Sequence, residues 1–192
     1  MSINNGNNDL IEYLQSLSGE IDPKQGSVAI ILAAGHGKRI KSERSKMLHE
    51  IWGVPTVVRV ANAASKGLAS NNQIIVVGIK ACEVAESAGK RANRIFVYQT
   101  EQKGTGHAVK EALSAISQNG HIKDIYIFPG DMGLITPAVV SELKRRFEQS
   151  GCGLALLTGN YKGEPEANSY GRIIRVPART ATGEPSGEDE GR

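Results

Sequence analysis

Short apolar runs alternating with stretches of helical apolar spacing restrict this chain more than any other feature of its sequence. The runs fall at residues 28–32, 74–77, 94–98, 124–128 and 154–158, and each is too short for a helix. Helical patterns lie between them, at 56–66 opened by Pro55, at 81–88, at 106–117, and at 137–149 with Thr136 as the N-cap. Nearly continuous apolar strands that alternate with helices imply a mainly parallel sheet, helices on both of its faces and right-handed crossovers. The expected fold is therefore a doubly wound, Rossmann-like α/β fold. In such sheets ligands bind beyond the carboxyl ends of the strands, so the loops at Ala33, Gln99 and Gly130 are where chemistry is sought.

Composition sets the scale and removes several classes. A chain of 192 residues suits one generous domain, and 40% hydrophobic with 22% charged residues is an ordinary globular balance. The longest apolar run, residues 28–34, falls well short of the ~20 residues that a membrane span needs. Residues 1–9 carry no basic region followed by an apolar stretch, which excludes a secretory signal there and makes a cytoplasmic location the expectation. Cys82 and Cys152 form no CxxC or Cys/His cluster, so they are expected as buried thiols. The net charge of +3 suits anionic ligands, but nine scattered aromatics give little to stack bases on, so a small phosphorylated ligand fits better than a nucleic acid.

Residues 1–26 read as a polar extension in which Leu10, Ile11, Leu14 and Leu17 recur at helical spacing, a short amphipathic helix ending at Gly19. Residues 27–175 form the main domain. The tail at 176–192, rich in Gly, Pro, Ser and acidic residues, is expected to be disordered.

Three segments beyond strand ends carry candidate chemistry. The first strand runs into Ala33-Ala34-Gly35-His36-Gly37-Lys38-Arg39, where glycines let backbone N–H groups approach phosphate oxygens and two cations follow. A tight strand-to-loop turn would look the same, and the segment is neither a Walker A loop nor a GxGxxG fingerprint. In the second, QTEQKGTGHA at 99–108, the Gln99 and Gln102 amides can donate and accept at once, as reading a base edge requires, and the Gly104 backbone can do likewise. His107 has no visible Asp or Ser partner and reads as a structural hydrogen-bonder rather than a catalytic group. The third, FPGDMGLIT at 128–136, places Asp131 just past a strand, as a turn-stabilising residue or as the best-placed carboxylate for Mg²⁺.

These segments resemble a known family. LAAGHGKR followed by SKMLHEIWGVP is similar to the opening of sugar nucleotidyltransferases, LAAGxGTRM, then PKxL, then GxP. QTEQKGTGHA resembles the QxEQLGTGHA of the bacterial N-acetylglucosamine-1-phosphate uridylyltransferases, and YGRIIR at 170–175 matches their YGRIVR. The resemblance implies that Leu32, Ala33, Ala34 and Gly35 surround the nucleotide and that Arg39 and Lys46 hold the triphosphate as the catalytic pair. It also implies that Gln99, Gln102, Gly104 and Thr105 contact the base, that Gly171 borders the sugar, and that Asp131 ligates the metal. Met132-Gly133 stand where the family usually has Val-Pro. The match stops near Arg175, before the family's later sugar-binding and second metal-binding residues and its β-helix acetyltransferase domain.

The implied activity is Mg²⁺-dependent transfer of UMP from UTP to a sugar 1-phosphate, with no partner in nucleic acid or membrane. Two alternatives stay open: a catalytically inactive nucleotide-binding protein, and a molybdopterin-type nucleotidyltransferase, which shares the glycine-rich opening.

Overall fold

The computed structural model describes residues 5–35, 45–116, 122–168, 171 and 173. The chain divides into two compact units, Met1–Ala155 and Leu156–Arg192. In the first, α1 (Asn5–Leu17) precedes β1 (Ser27–Ala33), and a 3₁₀ turn (Lys46–Leu48) leads to a hairpin of β2 (Glu50–Ile51) and β3 (Val54–Pro55). Then follow α2 (Thr56–Leu68), β4 (Gln73–Val77), α3 (Ala81–Ala88), β5 (Arg94–Tyr98), α4 (Thr105–Ile116), β6 (Asp124–Pro129) and α5 (Pro137–Ser150). Among its described residues the second unit contains a 3₁₀ turn, Pro165–Ala167. No described helix is long and apolar enough to cross a membrane.

The main sheet has the order β5-β4-β1-β6, and every pairing in it is parallel. From β1 the chain winds outward through β4 to β5, then crosses back to place β6 on the other side of β1. The winding direction thus reverses at β1 and β6, the crevice where doubly wound sheets bind ligands. Alternate residues of β1 feed two cores. Ala29, Ile31 and Ala33 pack with Ile75, Val77, Phe96 and Phe128 beneath α2, α3 and α5, whereas Val28 and Ile30 pack with Ile74 and Val76 beneath α4. The doubly wound reading of the sequence holds, with four of the five expected strands and the four helices between 56 and 150 found to within a residue or two at their ends. α1 docks on this body, with Leu14 buried in the first core and packing against β5 and α3.

Close helix packing depends on Gly67 of α2. A Cβ there would come within 2.5 Å of Val140 Cβ and 2.7 Å of the Pro137 carbonyl oxygen, so α5 can lie this near only because the side chain is missing. The α5 N-terminus is capped as expected, the Thr136 hydroxyl accepting from the Val139 N–H at 3.3 Å.

Two expectations are corrected. Residues 154–158 form no strand; Leu154 is 84% exposed, and an apolar run becomes a strand only where another strand takes its backbone N–H and C=O groups. Cys82 and Cys152 are exposed rather than buried, because α3 turns Ala81, Val84, Ala85 and Ala88 inward and leaves Cys82 outward, while Cys152 follows the α5 C-cap. Pro55 opens α2 as expected, and the sequence reading did not anticipate the β2–β3 hairpin before it, whose turn residues Trp52 and Gly53 have φ of 52° and 74°. The tail at 176–192, expected to be disordered, lies outside the described residues.

A buried cation ties the sheet to its helices. Arg94, 1% exposed, donates to Gln73 Oε1 from Nε (3.0 Å) and Nη2 (2.5 Å), and to the carbonyls of Ala88 and Gly89 at the end of α3. Gln73 in turn donates to the Ala61 carbonyl at 2.6 Å and to Ser65 Oγ at 2.9 Å, both on α2. Burial, with the Arg91 charge adding to it, pushes the guanidinium down to about 10. The carbonyl end of α3 carries partial negative charge and helps hold Arg94 in its charged form. Arg94→Met would strand Gln73 Oε1 and two carbonyls, each worth about 1 to 3 kcal/mol, partly offset by relieved desolvation. The expected loss is about 2 to 4 kcal/mol, read as a lower urea midpoint at unchanged slope; an unchanged midpoint would remove this strap from the fold's support.

Candidate functional site

β1 emerges from the sheet into Ala34 and Gly35, and the 3₁₀ turn that begins at Lys46 is anchored beside it by buried Met47 and Leu48. Ser45 caps that turn, its hydroxyl accepting from the Met47 N–H, and the Thr56 hydroxyl points back to the carbonyls of Lys46 (3.1 Å) and Met47 (3.0 Å). Lys46 therefore leaves a fixed backbone. Its stem lies over Gly35, where an added Cβ would sit 3.6 Å from Lys46 Cε.

On the neighbouring strand, β6 ends at Pro129, and the Gly130 N–H bonds the Leu32 carbonyl at 2.9 Å, continuing the pairing by one residue. Asp131 comes next, and its Oδ2 lies 2.6 Å from Lys46 Nζ. Residues 85 apart in sequence are thus joined by a charge-assisted bond across the switch point. Both side chains are partly exposed, so the pair adds little stability, about 0 to 1 kcal/mol. Its chief consequence is local: a cation already sits on the carboxylate.

The third side comes from the end of β5. Gln99 continues the β4 pairing through its N–H to the Val77 carbonyl and is 4% exposed. Its Nε2 lies 3.3 Å from the Gly104 carbonyl and 3.0 Å from His107 Nδ1. Gln102 is exposed, and its Nε2 donates to the Ala34 carbonyl at 2.9 Å, strapping this loop to the end of β1. Gly104 has φ +97°, which a side chain would strain, and Thr105 opens α4. Lys103 bonds Glu101 and holds that carboxyl below its usual range.

Together these elements surround a cavity of about 240 Å³. Of the residues expected at a nucleotide site, Leu32, Ala34, Gly35, Lys46, Gln99, Gln102, Gly104, Thr105 and Asp131 line it. Ala33 does not; it is buried in the core beneath, as strand alternation requires. Arg39 lies outside the described residues, and Gly171 is exposed in the second unit. Met47, Ala108 and Pro129 also line the cavity, and Thr56 braces the Lys46 turn. Sequence reasoning missed them because apolar or small side chains carry no chemical signal, and Thr56 reads as an ordinary helix start. A larger groove of about 950 Å³ runs between α1 and β5 and shares no lining residue with this cavity.

A parallel sheet reversing at β1 and β6, with this cavity at its carboxyl edge, is the α/β nucleotidyltransferase fold. A solved nucleotidyl transferase from Methanothermobacter thermautotroptrophicus has the same fold, with a TM-score of 0.50 over 62% of this chain and 56% of that one at 21% identity. The chain belongs to the family described as MobA-like NTP transferase domains, whose sequence profile matches residues 29–186. It is 39% identical over 151 residues to the bifunctional protein GlmU of Shouchella clausii, covering 78% of this chain and 31% of that protein. It is also 39% identical over 152 residues to GlmU of Desulfotalea psychrophila, covering 79% and 43%. The chain thus spans less than half the length of either relative.

Gly130 is the backbone contact on which the cavity floor depends, since a Cβ there would lie 2.9 Å from the Leu32 carbonyl oxygen and 3.0 Å from Met47 Sδ. Gly130→Ala is expected to part the ends of β1 and β6 and to cost about 1 to 3 kcal/mol. Chemical denaturation measures it, and a variant as stable as the parent would mean that the strand ends yield without cost.

Proposed function

We propose that this protein transfers a uridylyl group from UTP to a sugar 1-phosphate, with N-acetylglucosamine 1-phosphate as the expected acceptor. The observation that carries the reading is the meeting, around one cavity, of a buried amide suited to a base edge with a lysine and a carboxylate suited to phosphates and their cation. The resemblance of QTEQKGTGHA to the segment of the N-acetylglucosamine-1-phosphate uridylyltransferases favours the same choice of substrates.

In the proposed reaction a phosphate oxygen of the sugar 1-phosphate attacks the α-phosphorus of UTP in line. The bond from that phosphorus to the bridging oxygen breaks, and pyrophosphate leaves with the electron pair. No covalent intermediate on the protein is required, so catalysis is positioning and charge neutralisation. Lys46, released from Asp131, would swing its ammonium onto the triphosphate beside Gly35. Arg39 would add a second cation, and the backbone from Leu32 to Gly35 with Gln102, Gly104 and Thr105 would hold the nucleoside.

Asp131 suits a hard cation: its carboxylate lies at the cavity wall and already accepts an ammonium. Among the described residues no group of three or more His, Cys, Asp or Glu could hold a metal by itself, so substrate phosphate oxygens would complete the shell. Bound Mg²⁺ would supply neutralisation of phosphate charge at the reacting centre.

The ion pair that already occupies Asp131 at the cavity wall favours a second reading, a nucleotide-binding protein without turnover. Incubation with Mg²⁺, UTP and N-acetylglucosamine 1-phosphate separates the two by release of pyrophosphate. Ranking UTP, CTP and GTP in binding tests the molybdopterin-type alternative.

Two substitutions examine the roles. Lys46→Ala is expected to weaken UTP binding about 10- to 100-fold, the worth of a charge-assisted contact of about 1.5 to 3 kcal/mol. Calorimetric titration reads this, and equal dissociation constants would take Lys46 out of the site. Asp131→Asn is expected to keep stability within about 1 kcal/mol, because the exposed ion pair contributes little, yet to lose the Mg²⁺-dependent part of the UTP-induced rise in Tm. A full magnesium response in that variant would reject Asp131 as the ligand.

A further inference from the structure

The hydrogen bonds of Gln99 fix more than its place. The Gly104 carbonyl can only accept, so the Gln99 atom 3.3 Å from it is the NH₂ group. The same NH₂ lies 3.0 Å from His107 Nδ1, which must then be the unprotonated nitrogen of the imidazole. The proton belongs on Nε2, and there Glu111 Oε1 waits at 3.4 Å, one helical turn further along α4. Both N–H bonds of Gln99 are consumed. Among the described residues its Oε1 takes no hydrogen bond and is not sealed from solvent, on a residue that is itself 4% exposed and lines the cavity.

We infer that His107 and Glu111 are positioning residues for base selection: through the imidazole tautomer they lock the Gln99 amide with its oxygen toward the cavity. An amide turned that way offers the base an acceptor only. It pairs with the N3–H of a uracil and meets a lone pair at N3 of a cytosine. Were the imidazole protonated on Nδ1, the amide would have to turn over, setting its oxygen against the Gly104 carbonyl and its NH₂ toward the base. The carbonyl, the tautomer and the carboxylate therefore act as one chain, in which Glu111 orients His107 and His107 orients Gln99. This inference rests on the proposal that the cavity takes a uridine nucleotide.

Competition binding of UTP and CTP to the full chain tests it. His107→Leu removes the acceptor and frees the amide, so the preference for UTP over CTP should fall roughly threefold to tenfold, the worth of one neutral hydrogen bond. His107→Asn keeps an oxygen near the Nδ1 position and should restore most of the preference, and Glu111→Ala should lower it by a smaller factor. A merely structural histidine would weaken UTP and CTP alike and leave their ratio untouched. Nitrogen-15 NMR of the unsubstituted protein reads the tautomer directly, independent of whether His107→Leu folds. A proton on Nδ1, or an undiminished preference in a folded His107→Leu, overturns the inference. Equal affinity of the unsubstituted protein for UTP and CTP is a different failure, which removes the uracil reading and this inference with it.

Discussion

Strand β1 is paired on both edges and covered on both faces, and the remaining architecture is arranged around satisfying it. Every N–H and C=O along its length needs a strand on one side or the other, and β4 and β6 supply them in register from Ser27 to Ala33. With both faces buried, its side chains must all be apolar or small, which is why VAIILA contains no polar residue. The strand cannot continue as such. Its exit into Ala34 and Gly35 is forced to the carboxyl edge of the sheet, between the loops of β5 and β6, and the cavity forms there because three loops must part around one strand end.

Electrostatics in the molecule follow depth. Arg94 is buried and is held by neutral oxygens and the end of a helix, so its role is to bind elements together, and its environment costs it part of its basicity. Lys46 and Asp131 meet near solvent, where their attraction is screened and the pair can open. The first arrangement contributes rigidity. The second keeps a cation and a carboxylate ready on a rigid frame, and the frame comes from Thr56, Met47 and Gly130 rather than from the charged residues themselves.

Much of the fold was legible because burial on two faces leaves a mark that chain order preserves. The runs at 28–32, 74–77, 94–98 and 124–128 each became a strand, and Pro55 and Thr136 marked helix starts to the residue. The run at 154–158 had the same local mark and failed, since strand formation requires a partner edge and apolar character alone does not create one. Cys82 misled for a related reason: its residue type is commonly buried, but its position on α3 turned it outward. The candidate site was legible as a set of segments just past strand ends, and nine of its expected residues share one cavity.

What the sequence determined by itself was periodicity and chemistry: alternating strands and helices, glycines where the backbone must come close, and amides, lysine and carboxylate in loops at one edge of a sheet. Tertiary structure alone decided the distances among them. That Lys46 reaches Asp131 follows from β6 returning beside β1, a matter of strand order that no local pattern encodes. Ala33 went to the core and Ala34 to the cavity because neighbours on a strand face opposite sides. The direction in which Gln99 presents its amide depends on a carbonyl five residues away and an imidazole eight residues away, brought together by a left-handed glycine and one turn of helix. Hydrogen bonds are short and directional, so that choice exists only once the chain has folded.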